Sequence, residues 1–174
     1  MTELVVSQSA VAVLDFAPLL ININNMPHLK RLDLSDTRMI TWTGLLRLLN
    51  TLSMRQPRLR TLNLAGTMTD PQSDPIPDIE ELQHALQKMH SLHELNLSDN
   101  RFCDAVAFAV GTALAALLEL RMLSMTHNKL DVPGVGALIA GGAHIACLLV
   151  LSQERTFDRY WNSTRTTQQI PGVA

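Results

Sequence analysis

Residues 91–102 read SLHELNLSDNRF, and this stretch decides the fold of the chain. Its apolar and amide positions are, in order, Leu92, Leu95, Leu97, Asn100 and Phe102. The order is L-x-x-L-x-L-x-x-N-x-L, with phenylalanine in the last place. Because side chains alternate between the two faces of a strand, the second and third leucines predict a strand with one face in a core. One copy is weak evidence, so the interpretation depends on recurrence.

The same order of residues recurs along the chain. The copies begin at Leu29, Leu59, Leu92, Leu120 and, less completely, Ile145. Successive starts are therefore 30, 33, 28 and 25 residues apart. Asn128 repeats the amide of Asn100, whereas Thr37 and Thr67 stand in that place in the first two copies. A threonine can replace the amide only partly, so we expect the first two turns to be less well specified.

This unit resembles the leucine-rich repeat, and periods near 28 to 30 residues are similar to the ribonuclease-inhibitor-like class, in which a helix backs each strand. The resemblance implies an α/β fold, a short solenoid shaped like a horseshoe. A curved parallel sheet would line its concave side and helices its convex side. Partners of this family are usually proteins, because a long curved sheet offers a large surface without a pocket.

We expect three parts in the chain. Residues 1–27 are predicted to be an N-terminal cap or a degenerate first repeat, in which Pro18 kinks or restarts a helix. Residues 28–151 are predicted to hold four repeats and a partial fifth. Residues 152–174 are predicted to be a C-terminal cap or tail.

Helices are expected after each strand. Apolar residues at helical spacing follow Thr41, and the prolines at 71, 75 and 77 exclude a regular helix before Asp78. Asp104 is expected to cap an alanine-rich helix that runs to Glu119. Another helix is predicted from Asp131 to Ala140, ended by two glycines.

Composition restricts the class of protein. A net charge of -2 provides no general attraction to nucleic acid or to an anionic membrane, so we expect neither partner. Cys103 and Cys147 lack C-x-x-C spacing, and the N-terminus lacks a secretory signal. Reduced thiols and an intracellular, cytoplasmic location are therefore expected. Residues 132–151 carry no formal charge, but proline, glycines and a histidine interrupt them, so no membrane insertion is expected.

The sequence lacks the motifs of common enzyme classes, including the Walker loop, G-x-S-x-G and H-E-x-x-H. Six histidines are scattered rather than grouped at ligand spacing. We therefore predict no catalytic residues, no cofactor and no metal. The expected function is a non-catalytic protein-interaction module, an adaptor or a subunit of a larger assembly. The alternative is a regulator of a GTPase partner, because some repeat proteins of this class activate GTPases.

The candidate binding residues are those that point away from the leucines of each strand, onto the concave face. They are Arg31, Asp33, Ser35, Thr61, Asn63, Glu94, Asn96, Ser98, Met122, Ser124 and Thr126. These side chains are mostly small and polar, whereas protein hot spots favour tryptophan, tyrosine and arginine. An interface that uses the rim, the proline-rich insert or Trp42 therefore stays open.

Charge is unevenly distributed along the chain. Seven basic residues lie in the first clear repeat and its exit: Lys30, Arg31, Arg38, Arg47, Arg55, Arg58 and Arg60. Between Asp70 and Glu81 there are five acidic residues and no basic one. We interpret the basic residues as a solvated surface spread over different faces, with an acidic protein partner as the next alternative.

Overall fold

The structure is a computed structural model that describes residues 2–6, 16–38, 40–68, 78–143, 145 and 147–149. The predictions made for the proline-rich insert and for the C-terminal cap or tail lie outside these residues.

Within these described residues, six parallel strands form one sheet, with the strands in the order of the sequence. They are β1 (Glu3–Val5), β2 (Arg31–Asp33), β3 (Thr61–Asn63), β4 (Glu94–Asn96), β5 (Met122–Ser124) and β6 (Cys147–Leu149). The central leucines of neighbouring strands are paired, as in Leu32 with Leu62 and Leu95 with Leu123. This sheet confirms the predicted parallel arrangement of an α/β solenoid.

Five helices alternate with the strands and pack beside one another in sequence order. They are α1 (Phe16–Asn24), α2 (Trp42–Arg55), α3 (Ile79–Gln87), α4 (Asp104–Leu114) and α5 (Val132–Gly141). Each helix must run back across the sheet, because the next strand starts at the same edge as the last. The core lies between the two layers and is built mainly from leucines.

The N-terminal residues contribute to the same two layers. β1 pairs in register with β2, and α1 packs against α2. Pro18 lies in the first turn of α1, where its missing N–H leaves no helical bond unmade. The prediction that this proline restarts a helix agrees with the position of α1. The boundaries proposed for the three parts of the chain stay predictions.

The residues that cap the helix N-termini agree only in part with the sequence-based predictions. Thr41 caps α2 by accepting from Gly44 N at 3.1 Å, and Asp78 caps α3 by accepting from Glu80 N and Glu81 N. The prediction that Asp104 caps α4 is wrong, because Cys103 holds that place and the helix ends at Leu114. Asp104 instead accepts from Asp131 N of the next repeat at 2.8 Å.

Two buried asparagines hold the turns in which the chain leaves the sheet. Asn100 Oδ1 accepts from Thr67 N and Met68 N of the preceding repeat, both at 3.0 Å. Its Nδ2 donates to three carbonyl oxygens, one of them Leu64 O, also of the preceding repeat. Asn128 repeats this arrangement one step along and accepts from the backbone of Asn100 and Phe102. Each amide therefore joins two repeats.

The threonines in the same position do less. Thr37 Oγ1 donates to Leu34 O at 2.8 Å, and Thr67 Oγ1 donates to Leu64 O at 2.9 Å. Both bonds stay within one repeat. A hydroxyl is too short to reach the neighbouring turn and has no second donor, so threonine replaces only part of the amide network.

A left-handed residue precedes each of these positions. Asp36, Gly66, Asp99 and His127 have φ of 60°, 60°, 59° and 55°. The turn therefore has the same backbone geometry in four repeats, although glycine occupies it only once. Asp, Asn and His tolerate this conformation better than most residues, which explains three of the four choices.

Close helix packing depends on glycines in α4 and α5. A Cβ on Gly111 would lie 2.6 Å from Ala137 O, and a Cβ on Gly141 would overlap Gly111 O. The absence of side chains there lets the two backbones touch.

We expect Asn100→Ala to lower the free energy of unfolding by more than about 2 kcal/mol, because it leaves two buried N–H groups without acceptors. Urea unfolding measures the change. Thr37→Ala, which removes a single hydroxyl bond, should cost about 1 kcal/mol. Equal losses in the two variants would contradict the bridging role of Asn100.

We expect Gly141→Ala to destabilise the protein by about 1–3 kcal/mol through overpacking against α4. In an isolated helix the same change stabilises by about 1 kcal/mol, so the sign of the effect separates packing from helix propensity. Thermal unfolding of the variant provides the measurement, and a rise in Tm would overturn the argument.

Candidate functional site

The concave face of the sheet is organised in rows, because the strands are aligned residue by residue. The first row is Arg31, Thr61, Glu94 and Met122. The second row is Asp33, Asn63, Asn96 and Ser124. The third row, just beyond the strands, is Ser35, Ala65, Ser98 and Thr126. The structure thus brings all predicted binding residues together on one side of the sheet.

The first row is the most accessible part of this face. Glu94 and Met122 are exposed, and Arg31 and Thr61 are partly exposed. Arg31 pairs with Asp33 at 3.1 Å, and Thr61 Oγ1 donates to Glu94 Oε2 at 3.3 Å. A cation, a hydroxyl, a carboxylate and a thioether therefore follow one another across four strands.

The second row serves the backbone of the sheet. Asp33 Oδ1, Asn63 Oδ1 and Asn96 Oδ1 each accept from the backbone N–H two residues further on. This local bond guides each chain out of its strand. Because it occupies one oxygen of each side chain, the second row has less hydrogen-bonding capacity for a partner than the sequence suggested.

Between β4 and β5, Ser98 and Thr126 of the third row form a cluster of hydroxyls with Ser124 of the second row. Ser98 Oγ lies 2.8 Å from Ser124 Oγ, and Thr126 Oγ1 donates to Ser98 Oγ at 3.0 Å. Ser98 is 4% exposed and Asp33 is 6% exposed. These two candidates therefore lie too deep to form much of an interface and mainly stabilise neighbouring residues.

Trp42 is excluded as an anchor for a partner. It is buried, and its ring centroid lies 5.2 Å from that of Phe102. The alternative of an interface built on Trp42 is therefore wrong. Its large apolar ring fills the core where α2 begins. The sequence did not reveal this burial, because Trp42 lies between two threonines.

A series of basic residues was missed by the sequence reasoning. The residue before each of β2, β3, β4 and β5 is basic: Lys30, Arg60, His93 and Arg121. We call this series the basic ladder. Backbone bonds hold it in line, since Lys30 O accepts from Thr61 N, Arg60 O from Glu94 N and His93 O from Met122 N. The signal in the sequence was a basic residue directly after the first leucine of each repeat, as in LKRL, LRTL, LHEL and LRML.

The two rims of the solenoid carry different charges. We call the edge where strands begin and helices end the entry rim, and the opposite edge the exit rim. Most basic residues of the entry rim are exposed: Lys30, Arg55, Arg58, Arg60, Lys88 and Arg121. The acidic residues of the exit rim are Asp36, Asp78, Glu80, Glu81, Asp99, Asp104 and Asp131. Four of the seven basic residues around the first clear repeat lie on the entry rim. The other three lie elsewhere: Arg31 on the concave face, Arg38 on the exit rim and Arg47 within α2. The basic residues therefore do occupy different faces, but four of them share one edge.

The exit rim also carries three cations, Arg38, Arg101 and Lys129, which follow the turn positions of their repeats. Among the described residues, no three His, Cys, Asp or Glu side chains are grouped so that they could hold a metal ion. None of the described helices is long and apolar enough to cross a membrane.

Asp33 has an acid–base property that its position explains. Burial raises the pKa of its carboxyl, but bonds from Ser35, a bond from Asn63 and the charge of Arg31 outweigh burial and hold the pKa below its ordinary value. The ionised form is therefore favoured by folding. Its contribution to stability is present above the pKa of the unfolded chain and is lost as pH falls through the folded-state pKa.

We expect Asp33→Asn to destabilise the protein at pH 7 and to cost less as the pH falls through the lowered pKa of the parent carboxyl, where that carboxyl also becomes protonated. Urea midpoints at several pH values measure this difference. Asp36→Asn removes a carboxylate from an exposed turn of the same repeat and controls for net charge. A cost of Asp33→Asn that does not change with pH would show that charge is unimportant at this site.

Comparisons with known proteins address the family. A family model described as "Leucine Rich repeat" matches residues 25–49 and 88–105, the first and third clear copies of the unit. No curated protein matches the chain. Thirteen chains of solved structures match it. One is an internalin from Listeria monocytogenes, 15% identical, with 88% of this chain and 68% of that chain covered and a TM-score of 0.26. The family match and the repeated strand, turn and helix show leucine-rich repeats in this chain, and the ribonuclease-inhibitor-like class stays a prediction.

Proposed function

We propose that the chain is a protein-interaction module, an adaptor or a subunit of a larger assembly, which binds its partner through the first row of the concave face. Leucine-rich repeats generally mediate protein–protein interaction. The observation that carries the proposal is the alignment of Arg31, Thr61, Glu94 and Met122 on four neighbouring strands. In the described part of the chain, the helices pack against the leucine face of the sheet, so this row faces away from them.

The chemistry of the row favours a polypeptide partner. Met122 is 41% exposed and offers a flexible apolar contact, which is common at surfaces that bind proteins. Arg31 and Glu94 flank Thr61 and provide charges of opposite sign on the strands at either side of β3. Such mixed charges give specificity and orientation more than affinity.

The rigidity of the sheet supports the same function. The second and third rows bond to backbone and to each other, so the side chains beneath and beside the first row are held in place. Pre-organised side chains lose less conformational entropy on binding than free ones do. A partner would therefore meet a surface that changes little.

A test uses two exposed methionines on opposite sides of the solenoid. A photo-crosslinking amino acid at position 122, on the concave face, should capture the partner in native cells. The same amino acid at position 54, on the convex helix α2 and 74% exposed, should not. With the captured protein purified, we expect Met122→Glu to weaken binding about tenfold, since it places a charge in a desolvated contact.

Met54→Glu is the matched control and should change Kd less than about twofold. Capture from position 54 alone, or equal loss of affinity in both variants, would contradict binding at the concave face. If the captured protein is a GTPase, its rate of nucleotide hydrolysis with and without the full chain distinguishes a simple partner from a regulated one.

A further inference from the structure

The basic ladder places like charges side by side on consecutive strands. Neighbouring strands are about 4.8 Å apart, so Lys30, Arg60, His93 and Arg121 extend over about 15 Å of the entry rim. Lys30, Arg60 and Arg121 are exposed and His93 is partly so. Like charges on directly opposite residues destabilise a sheet. Lys30 and Arg60 are neighbours in the ladder and therefore form an unfavourable like-charge pair that an anion would relieve.

Neutralisation within the described residues is incomplete. Glu119 Oε2 lies 3.9 Å from His93 Nε2, and Glu94 accepts from Thr61. Across the described ranges, Lys30, Arg60 and Arg121 form no ion pair. Both ends of the ladder thus present cations that are free to contact another molecule.

Helix dipoles explain only part of this charge. Arg55 lies in the last turn of α2 and Lys88 follows α3, where a cation is stabilised by the helix C-terminus. Lys30, Arg60 and Arg121 lie well beyond α1, α2 and α4, and the dipole effect falls off within the last turn. Their common place, directly before a strand, is therefore not explained by helix stability.

We infer that the basic ladder binds an acidic polypeptide segment of the partner. This inference rests on the proposed function, because it names the chemistry of the partner that the concave face binds. The ladder borders the first row, so one protein can contact both surfaces. Acidic side chains on one face of a helix are about 5–6 Å apart, close to the spacing of the ladder.

The described surface favours polypeptide over nucleic acid. Single-stranded nucleic acid is usually bound by aromatic stacking beside a basic groove. The basic ladder and the first row contain no tryptophan, tyrosine or phenylalanine.

The test uses a fluorescent oligoglutamate of about ten residues, which matches the ladder in length when helical and exceeds it when extended. Fluorescence anisotropy with the full chain should show binding that weakens as salt is raised. The triple variant Lys30→Gln, Arg60→Gln and Arg121→Gln should weaken binding about tenfold.

The matched control is Arg38→Gln, Arg101→Gln and Lys129→Gln, which removes the same charge from exposed positions of the exit rim. We expect it to change Kd less than about threefold. Circular dichroism of both variants establishes that they remain folded. Equal loss in the two triple variants would show attraction by net charge alone and would overturn the inference.

A parallel titration uses oligothymidylate of similar length. Binding tighter than that of oligoglutamate and lost in the ladder variant would assign the surface to nucleic acid and overturn the inference. If the triple ladder variant leaves the Kd for oligoglutamate unchanged while Met122→Glu still weakens binding of the captured partner, this inference fails and the proposed function stands. Failure of the Met122 test alone would leave the ladder as a separate acidic-peptide site and overturn the proposed function.

Discussion

The whole structure depends on satisfying buried backbone groups where each strand turns out of the sheet. At that point the chain leaves the hydrogen bonding of the sheet, and its backbone N–H and C=O groups would be buried without partners. Asn100 and Asn128 solve this because each amide oxygen accepts from the turn of the preceding repeat, and each Nδ2 donates both to that repeat and to carbonyls of its own turn. The amides thereby stack the turns, and the leucines of neighbouring repeats are brought into register.

That stacking also determines where charge is found. Since every strand enters at one edge and every helix returns to it, any residue type repeated at one place in the unit becomes a line along the solenoid. Acidic residues near helix N-termini collect on the exit rim, as Asp78 and Glu80 do at α3. Basic residues before strands collect on the entry rim. Charged residues that are distant from one another in the sequence are thus collected on two opposite rims of the solenoid.

The concave face illustrates how scaffold and binding surface share the same side chains. Asp33, Asn63 and Asn96 point towards the open side, yet each uses an oxygen to hold its own turn. Ser98 and Ser124 bond to each other. The side chains available to a partner are chiefly those of the first row. They lie at the start of each strand, away from the turns that the second row holds by hydrogen bonds. The accessible chemistry of the face is therefore narrower than its outward-pointing residues imply.

The sequence by itself determined the strands, the helix behind each one and the concave set of side chains. These follow from alternation and from a period that every copy repeats, as in Leu95 and Leu97 with Asn100. Only the tertiary structure decided which of those side chains are free. Burial of Trp42, the sheet-supporting role of Asp33 and the alignment of Lys30 with Arg60 and Arg121 depend on contacts between repeats. Such contacts join residues about 30 positions apart, and local spacing does not contain them.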